Sequence, residues 1–175
     1  MPGNGNRLAA EVVRLLADKG KTLAVAESST GGLVCHLLTE VPGSSLAFLG
    51  GVVAYHNDIK ERLLSVPPER LERAGAVSAE TAKAMAEGVR RLLAADIGLA
   101  ITGIAGPKGG SAHKPVGLHY VALSAEGRLL CQRFLWSGSR AENKQAATEA
   151  ALKMVRRYLK ASRRSSPAPP PPGRR

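Results

Sequence analysis

Three short stretches of this chain are apolar at nearly every position: Thr22–Ala26 (TLAVA), Phe48–Tyr55 (FLGGVVAY) and Ile97–Thr102 (IGLAIT). Runs this short, with no polar side to turn to water, suit strands buried on both faces. A sheet of such strands needs helices above and below it, and the intervening sequence has helical spacing. Leu8, Val12, Leu15 and Leu16 share one face of a helix over residues 7–18, stopped by Lys19-Gly20. Leu33, Leu37 and Leu38 mark a second helix, ended near Val41-Pro42-Gly43. The glycine pair Gly50-Gly51 within the second strand suggests a bulge or a close backbone approach.

Asn57 is placed to cap a short helix carrying Ile59, Leu63 and Leu64. Pro67-Pro68 breaks it, and Pro68 can open a further short helical turn. Ser78 caps a longer helix with Met85, Val89, Leu92 and Leu93 turned inward. Val116–Ser124 and Arg128–Trp136 read as a hairpin around Ala125-Glu126-Gly127. Ser139 and Glu142 form the S-x-x-E capping box of a last helix reaching about Tyr158. The order α, β, α, β, α, α, β, β, β, α predicts an α/β sandwich with a mixed sheet and helices on both faces.

At 175 residues the chain fits one domain with tails. Its formal charge of +11 invites a nucleic-acid reading. Four of those charges, Arg163, Arg164, Arg174 and Arg175, lie in the last fifteen residues together with five of the eleven prolines. Residues 161–175 therefore read as a disordered Pro/Arg-rich tail, and 1–6 as a flexible lead before a domain spanning 7–160. The remaining chain holds 21 Lys+Arg against 14 Asp+Glu, a charge of +7 that alternates in sign along its helices. Few aromatics are present for base stacking, so nucleic acid is expected only weakly, through the tail. Two cysteines make no disulfide framework and no secretory pattern opens the chain, which predicts a reducing, cytoplasmic setting. No apolar run is long enough to span a membrane.

Three places hold chemistry. Ala26-Glu27-Ser28-Ser29-Thr30-Gly31-Gly32 joins a buried strand to a helix. It is either an ordinary capped turn or a strand–turn–helix elbow presenting a nucleophilic serine, with helix-start N–H groups for an anion or oxyanion. No histidine has a spacing that pairs it with a carboxylate or builds a metal set, so Lys60 is the candidate base. An ordinary lysine is neutral at the level of about 10⁻³ near pH 7, a handicap of roughly 4 kcal/mol that burial must remove. Glu27 would oppose that if it faced Lys60. The Gly-rich loop Thr102–Gly110 could close backbone N–H groups on an anion, or could be a flexible connection. Arg140, at the first position after the Ser139 cap, could aim a guanidinium at an anion near the sheet end. Cys35 and Cys131 fit small buried apolar positions.

Six motifs then occur in order: Ala26–Gly32, Val41-Pro42-Gly43-Ser44-Ser45, Gly50–Lys60, Gly75-Ala76-Val77-Ser78, Thr102-Gly103-Ile104-Ala105-Gly106-Pro107, and Lys114-Pro115-Val116-Gly117. Together they resemble the CinA C-terminal domain family, the nicotinamide-nucleotide amidohydrolases, from about residue 7 to 160. With no further domain ahead of the likeness, the chain resembles the family's stand-alone form. The resemblance implies a three-layer α/β/α sandwich and deamidation of nicotinamide mononucleotide to nicotinate mononucleotide and ammonia, in pyridine-nucleotide recycling. It places the nucleophile at Ser28, the base at Lys60 and a supporting tyrosine at Tyr55. Substrate contacts fall on Ser29, Thr30, Gly31, Gly32, Asn57, Thr102, Gly103, Gly106 and Arg140. It implies no cofactor or metal, and self-association, as a dimer. Ser29 stands where the family usually has cysteine, and Ser139 where aspartate is usual. The alternative from another class is a nucleotide-binding or adaptor module of this fold without turnover.

Overall fold

The computed structural model describes residues 4–162; of the tail expected over 161–175, Ala161 is instead the last residue of a helix, and residues 163–175 lie outside those described. Six helices and five strands follow one another as α1 (Asn4–Asp18), β1 (Leu23–Glu27), α2 (Leu33–Thr39), a 3-10 turn (Ser44–Leu46), β2 (Phe48–Val53), α3 (Asn57–Leu64), α4 (Pro68–Ala74), α5 (Ala79–Leu92), β3 (Ile97–Gly103), β4 (Leu118–Ala125), β5 (Arg128–Leu135) and α6 (Arg140–Ala161). The sheet runs β2-β1-β3-β4-β5. β1 lies parallel to β2 and β3, and β4 and β5 are antiparallel, so the sheet is mixed.

Side-chain size separates the two faces of the strands. Leu23, Val25, Ile97, Leu99, Ile101, Val121 and Leu123 point to one side, where α1, α2 and α6 complete a core of large aliphatics. Ala24, Ala26, Ala100 and Ala122 point to the other, where α3, α4 and α5 pack. Small residues there let α5 approach closely: a Cβ on Gly98 would stand 2.1 Å from the Ala86 carbonyl oxygen. The result is the three-layer α/β/α sandwich, its core on both sides of the sheet.

Gly88 on α5 sets where α3 sits, because a Cβ there would lie 2.0 Å from the Leu64 carbonyl oxygen at the end of α3. Glycine to alanine in an exposed helix gains about 1 kcal/mol. Here overpacking reverses the sign, and Gly88→Ala is expected to destabilise by about 1–3 kcal/mol, a fall of several degrees in a thermal melt.

Several boundaries differ from the sequence reading. α1 begins at Asn4, so residues 4–6 are helical and not part of a flexible lead. Tertiary contacts hold them: Asn4 donates to Glu149 Oε2 at 2.7 Å, and Gly5 packs on Leu37. His56 rather than Asn57 caps α3, its Nδ1 accepting from the Asp58 amide. Pro68 opens a full seven-residue helix, so three helices, not two, separate β2 from β3. Leu92 ends α5 exposed instead of inward, and Leu63 is likewise exposed. α2 buries Val34 with Leu37 and Leu38, while Leu33 is only half-buried. The hairpin starts at Leu118 rather than Val116 because Gly117, at φ +88°, turns tightly against the Trp136 carbonyl. Cys35 and Cys131 are half-buried free thiols. Among the described residues, no helix is long and apolar enough to cross a membrane.

Candidate active site

A cavity of about 250 Å³ opens at the carboxyl ends of the parallel strands, where α/β sheets usually hold ligands. Three connections build it. Ser28 and Ser29 follow β1, Tyr55 and Lys60 follow β2, and Thr102 and Gly103 end β3 with Ile104–Gly106, Lys108 and Gly109 in the loop after it. Ala76 and Val77 close the side next to α5, and Arg140 comes from the first residue of α6. Its walls carry three cations, Lys60, Lys108 and Arg140, and no acidic side chain.

The two-residue period of β1 determines which side chains enter the site. Ala24 and Ala26 belong to the α5 face, so Ser28 continues on that side and Glu27 faces α2. The elbow is pinned by the Ser28 amide donating to Ile101 O at 3.0 Å and the Gly31 amide to Ser28 O at 3.2 Å. Glu27 accepts from the amides of Gly32, Val34 and Cys35 at 3.0, 3.2 and 2.9 Å. It therefore does not oppose Lys60 across the cavity. Burial, and then the Glu27 carboxyl group beside it, push the Cys35 thiol well above its ordinary range. Ser28 Oγ makes no hydrogen bond among the described residues. Ser29 Oγ and Thr30 Oγ1 are buried without partners.

Lys60 is 1% exposed although it lies on a short helix rich in charged residues. Its Nζ donates to Ala54 O at 2.7 Å and Tyr55 O at 3.2 Å. Loss of hydration brings its pKa from 10.5 down to about 8. Near pH 7 roughly a tenth is then neutral, about 300 times the unperturbed fraction. Arg140 stays solvated at the cavity mouth, donating from Nη1 to Gly106 O at 2.8 Å and from Nη2 to Tyr55 Oη at 3.3 Å. The Ser139–Glu142 capping box that sets its helix start is formed on both sides. Thr102 is buried and donates to Ala76 O at 2.8 Å, tying the end of β3 to the loop before α5.

Of the residues singled out from sequence, the fold gathers Ser28, Ser29, Tyr55, Lys60, Thr102, Gly103, Gly106 and Arg140 around one cavity. Thr30, Gly31, Gly32 and Asn57 do not border it. Thr30 is fully buried, the Gly31 and Gly32 amides are already bonded within the elbow, and Asn57 is exposed on α3. The expectation that the whole Ser29–Gly32 turn offers N–H groups therefore narrows to Ser29.

Sequence reasoning missed two supports. His119 fills the space beside Gly103, where a Cβ would come within 2.2 Å of its ring, and packs against Trp136 at 5.3 Å. Burial lowers its pKa, which favours the neutral ring. Asn143 is fully buried on α6 and bonds Ala105 O at 3.0 Å, Gly138 O at 2.9 Å and the Gly138 amide at 3.1 Å. It anchors the cavity loop to the helix that carries Arg140. Neither residue carries a local pattern; what ties each to the site, Asn143 to Ala105 and His119 to Gly103, is distant in sequence. Asn143→Ala is expected to cost about 2–3 kcal/mol, since it leaves buried partners unpaired. Ligand affinity should also fall, which a thermal melt and a titration would measure. Among the described residues, no group of three or more His, Cys, Asp or Glu is placed to hold a metal ion.

The model of the CinA C-terminal domain matches residues 5–159. The chain belongs to the CinA C-terminal domain family. A CinA-like protein of Thermosynechococcus vestitus is 50% identical over 155 residues, covering 87% of this chain and 37% of that relative. The chain thus spans little more than a third of the length of such curated relatives. Solved structures of the CinA superfamily align with it nearly whole. The competence/damage inducible protein CihA from Agrobacterium tumefaciens superposes with a TM-score of 0.88 at 40% identity, over 91% of this chain and 98% of that one. The competence damage-inducible protein A from Klebsiella pneumoniae gives 0.88 at 31% identity, over 92% and 100%.

Proposed function

We propose that this CinA-domain protein is an amidohydrolase that converts nicotinamide mononucleotide to nicotinate mononucleotide and ammonia, using Ser28 as nucleophile and Lys60 as base. The observation that carries this reading is Lys60 itself: a buried lysine, tuned to titrate near neutrality, on the same cavity as an elbow serine whose hydroxyl is otherwise unused. Two carbonyls accept from Nζ. A neutral amine keeps both N–H bonds on them, and its lone pair is left to accept the Ser28 proton. No direct Ser28–Lys60 hydrogen bond is present, so bound substrate must draw the pair together.

Ser28 Oγ attacks the carboxamide carbon while Lys60 takes its proton. The oxyanion meets the Ser29 amide, which borders the cavity and has no acceptor among the described residues. Lys60 returns the proton as the tetrahedral species expels ammonia. Water, deprotonated in turn by Lys60, then hydrolyses the acyl ester. Lys108 and Arg140 suit the phosphate, and the lack of any wall acid suits an anionic substrate. The products belong to pyridine-nucleotide recycling in the cytoplasm. The missing Ser28–Lys60 bond is what favours the second reading, a module that binds the nucleotide without turning it over. Release of ammonia by purified protein, followed alongside calorimetric binding, separates the two. Self-association and weak nucleic-acid contact through the tail remain proposals on the family likeness and the composition, checked by sedimentation and by salt-dependent binding.

A further inference from the structure

Glu27 is fully buried, yet no lysine or arginine among the described residues bonds it. All its recorded partners are backbone amides: Oε2 accepts from Gly32 and Val34, and Oε1 from Cys35. These are amides at the start of α2, a seven-residue helix whose cap position, Gly32 at φ 98°, offers no side chain. A helix so short is marginal alone. Glu27 performs the capping from the strand before it, on the face of β1 opposite Ser28.

This bonding divides the amides of the elbow. Ser28 N is held by Ile101 O and Gly31 N by Ser28 O, while Gly32, Val34 and Cys35 are held by Glu27. Ser29 is left with a free amide beside the nucleophile on the cavity wall. Three of the four amides from Gly32 to Cys35 are thus taken by Glu27, Leu33 N being the exception.

We propose that Glu27 is a positioning residue for the hydrolase reaction. By clamping the first turn of α2 it fixes the elbow so that Ser28 Oγ and the Ser29 amide address the same carbonyl carbon and oxygen. This rests on the hydrolase reading. The clamp acts on the tetrahedral species more than on bound substrate, because the oxyanion alone needs the Ser29 amide. Glu27→Gln keeps one acceptor oxygen and turns an NH₂ group toward a backbone N–H, loosening the elbow without emptying the site.

Glu27→Gln is expected to lower kcat about 10–100-fold with KM within about threefold. Binding of a pyridine boronic acid, which forms a tetrahedral adduct with Ser28, should weaken by a similar factor. Calorimetric affinity for nicotinate mononucleotide should stay within about threefold. Glu27→Ala should lose more of both, and if it fails to fold, Glu27→Gln still decides. Wild-type kcat in folded Glu27→Gln overturns the proposal. So does a kcat loss matched by equal loss of product affinity, which marks a merely structural role. If the wild type captures the boronic acid at Ser28 but releases no ammonia, the deamidase reading fails by itself, and the boronate affinities of the two proteins still test the clamp. A wild type showing neither turnover nor capture overturns both.

Discussion

Ser28→Ala is expected to reduce ammonia release from nicotinamide mononucleotide by about 10³-fold or more, with the thermal midpoint nearly unchanged. The expectation of a large loss follows from the role of a nucleophile, whose removal leaves only binding and the oxyanion donors. Unchanged stability follows from the geometry. Ser28 Oγ makes no hydrogen bond among the described residues, and the elbow is held through backbone atoms and Glu27. Nucleotide binding should survive, since Lys108, Arg140 and the Thr102–Gly109 loop are untouched. Activity within a few-fold of wild type in a folded Ser28→Ala protein would contradict the mechanism.

Lys60→Met is expected to abolish turnover and to stabilise the protein. In the unfolded chain the amine titrates near 10.4; folded, it titrates near 8. Between those values the unfolded chain holds a proton that the folded protein has released, so stability rises with pH through that window. Below about 8 the full cost of charging a buried amine applies, on the order of 3 kcal/mol. Methionine removes that cost and loses the two bonds to Ala54 O and Tyr55 O, leaving a net gain of about 1 kcal/mol at pH 7. In the wild type, kcat/KM should climb close to tenfold per pH unit below 8 and level off above it, because only the neutral amine accepts the Ser28 proton. A flat profile between pH 6 and 9, or a Lys60→Met protein that is active, would contradict this assignment.

The layers of the fold were legible because each strand and helix announces itself within a few residues. The alternation of large and small side chains in TLAVA and IGLAIT even carries the sidedness of the sheet. The Ser28 elbow was legible for the same reason: strand, turn and helix are contiguous. The depth of Lys60 was not. NDIKERLL reads as a surface helix, and the lysine is buried where α3 packs against α5 and its Nζ reaches the Ala54 and Tyr55 carbonyls. The bias toward sequence neighbours also produced the misplacements. Thr30, Gly31 and Gly32 adjoin the nucleophile in sequence, but Glu27 and the turn's own bonds hold this stretch away from the cavity. Asn143 ties α6 to the loop after β3 and His119 packs beside Gly103, and no local pattern marks them.

The central claim is that Ser28 and Lys60 carry out chemistry and do not merely line a nucleotide pocket. The most direct measurement is a time course of purified protein with nicotinamide mononucleotide at pH 8, following nucleotide and ammonia together. The account predicts equal amounts of nicotinate mononucleotide and ammonia, formed catalytically and absent with Ser28→Ala. Saturable binding of the nucleotide with no ammonia released would contradict it and favour a binding module.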